Sequence, residues 1–531
     1  MSPPHFEISD AVCVSLSVFS GTLLGLAFPK SEIPGVMWFA FVPLLFAIDR
    51  SRSRRVFVYA WLQGFVFFAM ILHPIVFALT TFGHAWFLSA VAKLVVLAAS
   101  EALAVGVAFS AEEFICSRVG ISKTIALPIT WVAFEFARSY VPVGFPWALL
   151  GYAAYRDVAL IQFVDLTGIY GVSALIILIN ATIYGALNSS KSLAGRVLEA
   201  VPAASIIVLA LLLGSRRVAQ IDAMPHAGAL RVALVQADIP QSLKWKQSSL
   251  EPTFQIYSNE TLSASWKHPD LVIWPEAAVP FVFLHSSEYS DGPLRFHQGY
   301  HDRLLRLVRQ AQQPLLFGVP SLDFSNGIST RNRAYLIGSS GEVVGYYDKM
   351  ILVPFDEYVP AARFLGRLID KPVESIGPIT AGTQQTILPI KDAKLGVLIC
   401  YESIFPELSR RAVQAGANIL VNLSNDAWFG TTSVPHQLMA MAAMRSLENR
   451  TTMIRVANTG ISAVVSPTGR IVDATRLSSR VTKIEPVSWI TARTFYTKYG
   501  DVFAGGCLAA TLLGLGAALV LKPKVVLAPR S

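Results

Sequence analysis

Long apolar segments dominate the first two-fifths of the chain, and one more occurs near its end. A helix needs roughly 20 apolar residues to cross a bilayer. Short polar loops separate the segments, so the pattern predicts a bundle of about eight membrane-spanning helices. The segments are Ala11–Phe28, Gly35–Ile48, Val56–Leu79, Trp86–Ile115, Thr124–Tyr140, Val158–Leu187, Val197–Gly214 and Val502–Leu521.

The pattern changes between residues 215 and 500, where short β-rich runs alternate with polar, helix-like segments. This alternation predicts a layered α/β domain with a mixed sheet. The chain thus divides into residues 1–214 with seven spans, residues 215–500, and residues 501–531 with the last span and a tail. The strand candidates are Leu230–Gln236, Leu271–Trp274, Leu315–Val319, Arg333–Ile337, Val343–Tyr347, Leu395–Ile399, Ile419–Leu423, Met453–Ala457 and Ala463–Ser466, and the helix candidates include Thr253–Ser265, Tyr300–Gln312, Phe405–Ala415 and His436–Glu448.

Basic residues occupy the short loops of one side of the predicted bundle. Lysine or arginine follows the second, fourth, sixth and last apolar segments, as at Arg50, Arg118 and Lys522, whereas the opposite short loops carry only Lys30 and Arg156. The positive-inside rule makes the basic side cytoplasmic and residues 215–500 extracytoplasmic. The net charge of +9 therefore indicates membrane orientation and predicts no nucleic-acid partner.

Polar residues inside predicted spans are costly and face protein or water. Glu135 and Arg138 lie one helical turn apart and are predicted to pair. The sequence leaves open whether such residues are structural or contact a substrate.

Cys400 follows the apolar run Leu395–Ile399 and precedes a helix that Pro406 begins, which predicts a cysteine on a strand-to-helix turn. Nearby backbone N–H groups can lower a thiol pKa at such a turn. Of the other cysteines, Cys13 and Cys507 fall in predicted spans. Cys400 then has no partner in the outer domain, so it is either a reactive thiol or a small buried core residue.

Two further motifs end predicted strands and add the groups that thiol chemistry needs. Trp274-Pro-Glu276 places a carboxylate after one strand, and Lys349 follows another. Acyl transfer through a thiol requires a nucleophile, a base and a cation for the oxyanion. Cys400, Glu276 and Lys349 could supply these, with Glu402 orienting the lysine; each alone could equally be an ordinary strand end.

These motifs together resemble the carbon–nitrogen hydrolase (nitrilase) superfamily, whose fold is an αββα sandwich. With the flanking spans, the chain resembles its membrane branch, the bacterial apolipoprotein N-acyltransferases. The resemblance implies a multi-span helical bundle plus an extracytoplasmic nitrilase-like α/β domain. It also implies Glu276 as general base, Lys349 as oxyanion stabiliser, Cys400 as nucleophile, and Glu357, Tyr401 and Glu402 as supporting residues.

Three more residues resemble the family's substrate-binding or gate positions. Trp245 is similar to a tryptophan near the lipid entrance, and Trp147 and Pro360 are similar to residues of a mobile gate. Both tryptophans could instead be interfacial anchors. Asp356 departs from the pattern, because a small residue is expected before Glu357.

The resemblance implies a phospholipid acyl donor, a diacylated apolipoprotein acceptor and a location in the bacterial inner membrane, with the catalytic domain facing the periplasm. The sequence contains no glycine-rich phosphate loop and no clustered His/Cys spacing, so neither a cofactor nor a metal is expected. Two alternatives stay open: a membrane-tethered amidase that uses water as acceptor, and a transporter with a sensor domain.

Overall fold

The structure of the protein is a computed structural model that describes residues 7–51, 55–141, 144–189, 192–284, 295–324, 328–354, 356–358 and 379–521. The chain forms two compact units. The bundle unit contains residues 1–73, 91–220 and 499–531, and the α/β unit contains residues 74–90 and 221–498. Residues 74–90, which include the end of one predicted span and the start of the next, group with the α/β unit.

Apolar helices make up the first part of the chain and its end. Pro74 begins a short helix directly after a longer one, and Gly168, with a φ of +63°, separates two helices, because proline and glycine interrupt helices. The helices are α1 (Asp10–Ala27), α2 (Val42–Arg50), α3 (Val56–Leu72), α4 (Pro74–Thr81), α5 (Phe87–Val119), α6 (Lys123–Arg138), α7 (Val164–Thr167), α8 (Ile169–Asn188), α9 (Leu193–Asp222) and, at the end, α16 (Val502–Val520).

Within the described residues, five helices are long and apolar enough to cross a membrane: α1, α5, α8, the 200–222 part of α9, and α16. A sixth arises if α3 and α4, which meet at a 46° bend, form one broken span. Helices α2 and α6, with 9 and 16 residues, are shorter than the roughly 20 residues required. Their crossing of the membrane stays a prediction.

The predicted pairing of Glu135 with Arg138 is wrong. The Arg138 guanidinium instead forms an ion pair with Glu101 on α5 at 2.9 Å. It also donates to the backbone carbonyl of Trp147 at 2.9 Å, while Glu135 accepts the N–H of Leu150 at 2.6 Å. Arg138 thus finds a carboxylate on another helix and helps to hold the loop that carries Trp147.

Two six-stranded mixed sheets form the centre of the α/β unit. The strands are β1 (Gly228–Gln236), β2 (Leu271–Ile273), β3 (Leu315–Asp323), β4 (Ser329–Ile337), β5 (Val343–Asp348), β6 (Ile387–Ile390), β7 (Ala393–Ile399), β8 (Ile419–Ser424), β9 (Thr452–Ala457), β10 (Ala463–Val465), β11 (Ile471–Val472) and β12 (Val481–Trp489). The sheet orders are β12-β1-β2-β3-β4-β5 and β11-β10-β9-β8-β7-β6. The central pairs β1/β2, β2/β3, β7/β8 and β8/β9 are parallel, and the outer pairs are antiparallel.

The two sheets pack face to face through alternating strand positions. Val232 and Leu234 of β1 share one buried cluster with Val397 and Ile399 of β7. Successive side chains of a strand point to opposite faces, so Ala233 faces the other way, into a second cluster with the neighbouring helices. Because the central strands are buried on both faces, their sequences are continuously apolar.

Helices cover the outer faces of the sheets and complete an αββα sandwich. The helices of this part are α10 (Gln241–Lys244), α11 (Gln247–Ser265), α12 (Arg295–Ala311), α13 (Pro406–Gln414), α14 (Val434–Asn449) and α15 (Phe495–Tyr499). Phe254 of α11 and Leu304 of α12 belong to the buried cluster on the outer face of the first sheet, and α13 and α14 contact the second sheet.

Candidate active site

Glu276 lies three residues after the end of β2, and its side chain is buried. Its Oε2 accepts the backbone N–H of Asn425 at 3.0 Å. The next residue, Ala277, has a φ of +44°, so the chain turns sharply here. Gly318 of β3 permits the turn, because a Cβ at that position would lie 2.7 Å from the Glu276 Cα.

Lys349 follows β5, and its ammonium lies between two carboxylates. Its Nζ is 3.3 Å from Glu276 Oε1 and 3.0 Å from Glu357 Oε1. The amide of Asn332 on β4 donates to the same two oxygens, at 2.8 and 3.1 Å. The N–H of Val353 donates to Glu357 Oε2 at 2.8 Å. Because both carboxylates are themselves held by hydrogen bonds, the Lys349 ammonium has a defined position.

Cys400 begins a 3₁₀ turn, Cys400–Ile404, directly after β7. Its φ of +50° lies in the left-handed region, which costs a non-glycine residue on the order of 1 to 3 kcal/mol and occurs preferentially at functional sites. The Nδ2 of Asn422 donates to the Cys400 carbonyl at 3.4 Å, and Arg455 in turn donates to the Asn422 side chain. Neighbouring strands therefore hold the strained turn in place.

Burial opposes charge on all three groups, but their neighbours decide the outcome. Despite burial, the Lys349 ammonium and the Asn332 amide bring the pKa of Glu276 below its usual value. Despite burial, the Glu357 and Glu276 carboxylates hold the pKa of Lys349 well above its usual value. Burial, followed by the Glu276 carboxylate, raises the pKa of the Cys400 thiol to about 12. The resting site therefore holds a thiol, a carboxylate and an ammonium.

Glu402 has a different position from the one predicted for it. Its two oxygens accept the backbone N–H groups of Met350 at 2.6 Å, Ile351 at 3.1 Å and Ile399 at 2.7 Å, and the hydroxyl of Tyr347. The prediction that it orients the Lys349 ammonium is wrong, because Glu357 makes that contact. Glu402 instead ties the backbone after the lysine to the backbone before the cysteine.

The remaining predicted residues have different surroundings. Tyr401 is buried and packs edge-to-face on Phe405, with ring centroids 5.2 Å apart. Trp245 is 37% exposed at the end of α10. Trp147 is buried in the bundle unit, and Pro360 lies outside the described residues. Their predicted roles in lipid entry stay predictions.

Sequence reasoning missed three groups that contact Glu276. These are the side chains of Asn332 and Lys244 and the backbone N–H of Asn425. The signal for Asn332 depended on the full length of β4 (Ser329–Ile337), because the predicted strand begins at Arg333 and asparagine is depleted in strands. The backbone N–H of Asn425, in contrast, has no signal in the sequence, so its contact with Glu276 can be recognised only in the folded structure.

Residues 20–182 match the family described as apolipoprotein N-acyltransferase N-terminal domain, and residues 231–485 match the carbon–nitrogen hydrolase family. A protein from Geobacter metallireducens named apolipoprotein N-acyltransferase is 36% identical over 535 residues, which cover 98% of this chain and 98% of that protein. The chain belongs to the apolipoprotein N-acyltransferase family. The predicted resemblance is thus confirmed.

Two other members of the apolipoprotein N-acyltransferase family show how far the match extends. The protein from Allorhizobium ampelinum is 32% identical and covers 87% of this chain and 88% of its own length. The protein from Chlorobaculum tepidum is 29% identical, and the match covers 95% of this chain and 96% of that protein. Family membership makes this chain an acyltransferase of the carbon–nitrogen hydrolase superfamily and does not favour the transporter or the amidase alternative.

Replacing Gly318 by alanine tests how closely the turn at Glu276 must pack. The new methyl group would press on the Glu276 backbone, and a misplacement of up to about 1 Å is expected to slow lipoprotein N-acylation roughly 10- to 100-fold. Mass spectrometry of the N-acylated product measures this rate. Gly299→Ala on α12, where a Cβ meets open space, is the matched control. A G318A variant as fast as the control would contradict the close-packing argument.

Proposed function

We propose that this chain transfers an acyl chain from a phospholipid to the α-amino group of the S-diacylglyceryl-cysteine that begins a lipoprotein, with Cys400 as the acyl carrier. One observation carries the proposal: a buried ammonium bridges two carboxylates beside a partly buried thiol. The match to a protein named apolipoprotein N-acyltransferase along 98% of the chain supports the choice of substrates.

In the first half-reaction, Glu276 takes the proton of the Cys400 thiol as the sulfur attacks the phospholipid ester carbonyl. The S–C bond forms and the carbonyl oxygen becomes an oxyanion, which the Lys349 ammonium and the N–H of Tyr401 stabilise. The intermediate collapses by breaking the C–O bond. Glu276 returns its proton to the departing alkoxide, so the products are a thioester and a lysophospholipid.

In the second half-reaction, the neutral α-amino group of the acceptor attacks the thioester carbonyl. The N–C bond forms, Glu276 takes a proton from the nitrogen, and Lys349 again stabilises the oxyanion. The C–S bond then breaks, and the sulfur recovers the proton from Glu276. Atoms and charges balance, and the enzyme returns to a thiol and a carboxylate.

The proposal also covers the cellular location. The chain lies in the bacterial inner membrane with about eight spans, and residues 215–500 face the periplasm. The basic loops on one side of the bundle support this orientation, and the long apolar helices support membrane insertion. A site open to hydrocarbon would admit acyl chains and limit hydrolysis of the thioester. Trp147, Trp245 and Pro360 are the proposed lipid-entry and gate residues.

Intact mass spectrometry of the full-length protein tests the function. Incubation with phospholipid alone is expected to add the mass of one acyl chain, and a diacylated lipopeptide should then remove the adduct and gain an acyl chain on its amine. Free fatty acid released at the same rate with or without the lipopeptide would favour the amidase alternative. An unmodified protein together with an unmodified lipopeptide would refute the proposal.

A further inference from the structure

Lys244 is a buried lysine that the two half-reactions above do not use. It ends α10, it is 1% exposed, and its Nζ donates a hydrogen bond to the backbone carbonyl of Glu276 at 3.2 Å. Gln241 at the start of the same helix accepts a hydrogen bond from the Asn425 side chain at 2.8 Å, and the Asn425 N–H binds the Glu276 carboxylate. The segment 241–244 therefore supports Glu276 both directly and through Asn425.

The surroundings of the Lys244 ammonium are unusual for a buried charge. Across the described part of the chain, Lys244 forms no ion pair, and the Glu276 carbonyl is its one hydrogen-bond acceptor. An ammonium has three donor hydrogens, and buried charges are ordinarily paired because desolvation is costly. An uncharged residue of similar length would be less costly if support of the backbone were its only task.

The charges at the reacting centre leave an excess negative charge that the Lys244 ammonium can stabilise. Glu276 and Glu357 bring two negative charges, and Lys349 brings one positive charge. When the thiol proton moves to Glu276, a negative charge appears on the oxyanion, so an excess negative charge is present before and after the attack. The Lys244 charge interacts with both Glu276 and Cys400. The negative charge leaves Glu276 and appears on the group attached to Cys400, so Lys244 interacts with it before and after the attack.

We propose that Lys244 is a positioning residue that supplies the missing positive charge: its hydrogen bond holds the backbone at Glu276, and its ammonium stabilises the negative charge as it passes to the group attached to Cys400. The inference rests on the roles proposed above for Glu276 and Cys400. It adds a second cation, which contacts the backbone carbonyl of Glu276, whereas Lys349 contacts the Glu276 carboxylate.

The charge on Lys244 makes the first half-reaction depend on pH in a specific direction. Burial lowers the pKa of Lys244 to about 8, against the raising effects of Glu276 and Cys400, the two titratable groups that act on it. The ammonium is charged below this pH and neutral above it. Thioester formation should therefore slow as the pH rises through about 8, whereas ionisation of a thiol with a pKa of about 12 would speed it.

The test measures acyl-enzyme formation with phospholipid alone from pH 6 to 9.5, using full-length Lys244→Met, Lys244→Arg and wild-type protein. Omitting the lipopeptide removes the titration of the acceptor amine. Lys246→Met, at an exposed lysine two residues away, is the matched control. Thermal unfolding in detergent and labelling of Cys400 with iodoacetamide, followed by peptide mass spectrometry, report folding and the ionisation of the thiol.

At pH 7 we expect K244M to be about tenfold slower than wild type, which corresponds to a change of one pKa unit in the reacting pair. At pH 9.5 the K244M deficit should become smaller, because Lys244 is then neutral and the variant lacks only its hydrogen bond to the Glu276 carbonyl. K244R keeps its charge and should lose the alkaline decline. Burial raises the pKa of Glu402 to about 7. Its titration should change the rate of thioester formation by the same factor in all variants.

Two results would overturn the inference: a K244M rate equal to that of K246M at pH 7, or a K244M deficit of the same size at every pH, which would indicate a purely structural role. Failure of the proposed function is distinguishable. It would appear as an absent acyl adduct in wild type, or as an adduct that survives the loss of the Cys400 sulfur, whatever residue occupies position 244.

Discussion

Replacing Cys400 by alanine is expected to abolish the acyl-enzyme and to lower N-acylation of a diacylated lipopeptide by about 10⁴-fold or more, as the loss of a covalent nucleophile does. The methyl group leaves Glu276 and Lys349 in their ion pair but provides no atom that can form a thioester. Intact mass after incubation with phospholipid, together with product analysis, measures both effects.

Controls separate chemistry from folding. Cys507→Ala, at a buried cysteine of α16, should acylate the lipopeptide at the wild-type rate. Cys400→Ala retains the φ of +50° with a side chain of similar strain, so its thermal unfolding should stay close to that of wild type. Wild-type N-acylation by C400A would mean that another group carries the acyl chain or that none is needed.

The strands that position the site are the part of the fold that the sequence predicts best. Leu395–Ile399 and Ile419–Leu423 are continuous apolar runs, and the structure extends them by only one or two residues, to Ala393–Ile399 and Ile419–Ser424. These strands are parallel and buried on both faces. Burial on both faces requires uninterrupted apolar residues, which makes such strands easy to find.

The antiparallel edge strands β6, β11 and β12 escaped prediction for the opposite reason, whereas the edge strand β5 was predicted as Val343–Tyr347. Strand β12 (Val481–Trp489) contains Pro486 and several polar residues, yet it pairs with β1 along nine positions. Proline is tolerated there because an edge strand leaves one side unpaired. The helix α11 also begins at Gln247, six residues before the predicted Thr253, because Pro252 lies inside the helix rather than before it.

Residue types at strand ends could predict the three central groups but not how they contact one another. Glu276, Lys349 and Cys400 each directly follow a strand or its first turn, which a pattern can reveal. The contact of Lys349 with Glu357 rather than with Glu402 could not be predicted, because both are acidic residues a short distance from a predicted reactive group. Only the folded chain distinguishes the carboxylate that contacts an ammonium from the one that contacts backbone N–H groups.

Replacing Glu276 by glutamine is expected to slow thioester formation by about 10²- to 10⁴-fold, the usual contribution of a general base and acid. Glutamine has the shape of glutamate but cannot accept the thiol proton or return it to the leaving alkoxide. The Asn425 N–H, the Asn332 amide and the Lys349 ammonium all donate to this carboxylate. An amide offers them one acceptor oxygen, so some displacement of the side chain adds to the loss.

The same substitution should make the Cys400 thiol easier to ionise even though it slows thioester formation. A general loss of structure would not produce these two opposite effects together. The Glu276 carboxylate raises the pKa of Cys400, second only to burial, while Lys349 lowers it. Removing the carboxylate should therefore shift the pH profile of iodoacetamide labelling at Cys400 to lower pH, even as ester cleavage is lost. Glu251→Gln, at a surface carboxylate paired with Arg303, is the control. An E276Q protein that accumulates the acyl adduct at the control rate would exclude Glu276 as the base, and unchanged labelling would exclude its charge as a determinant of the thiol.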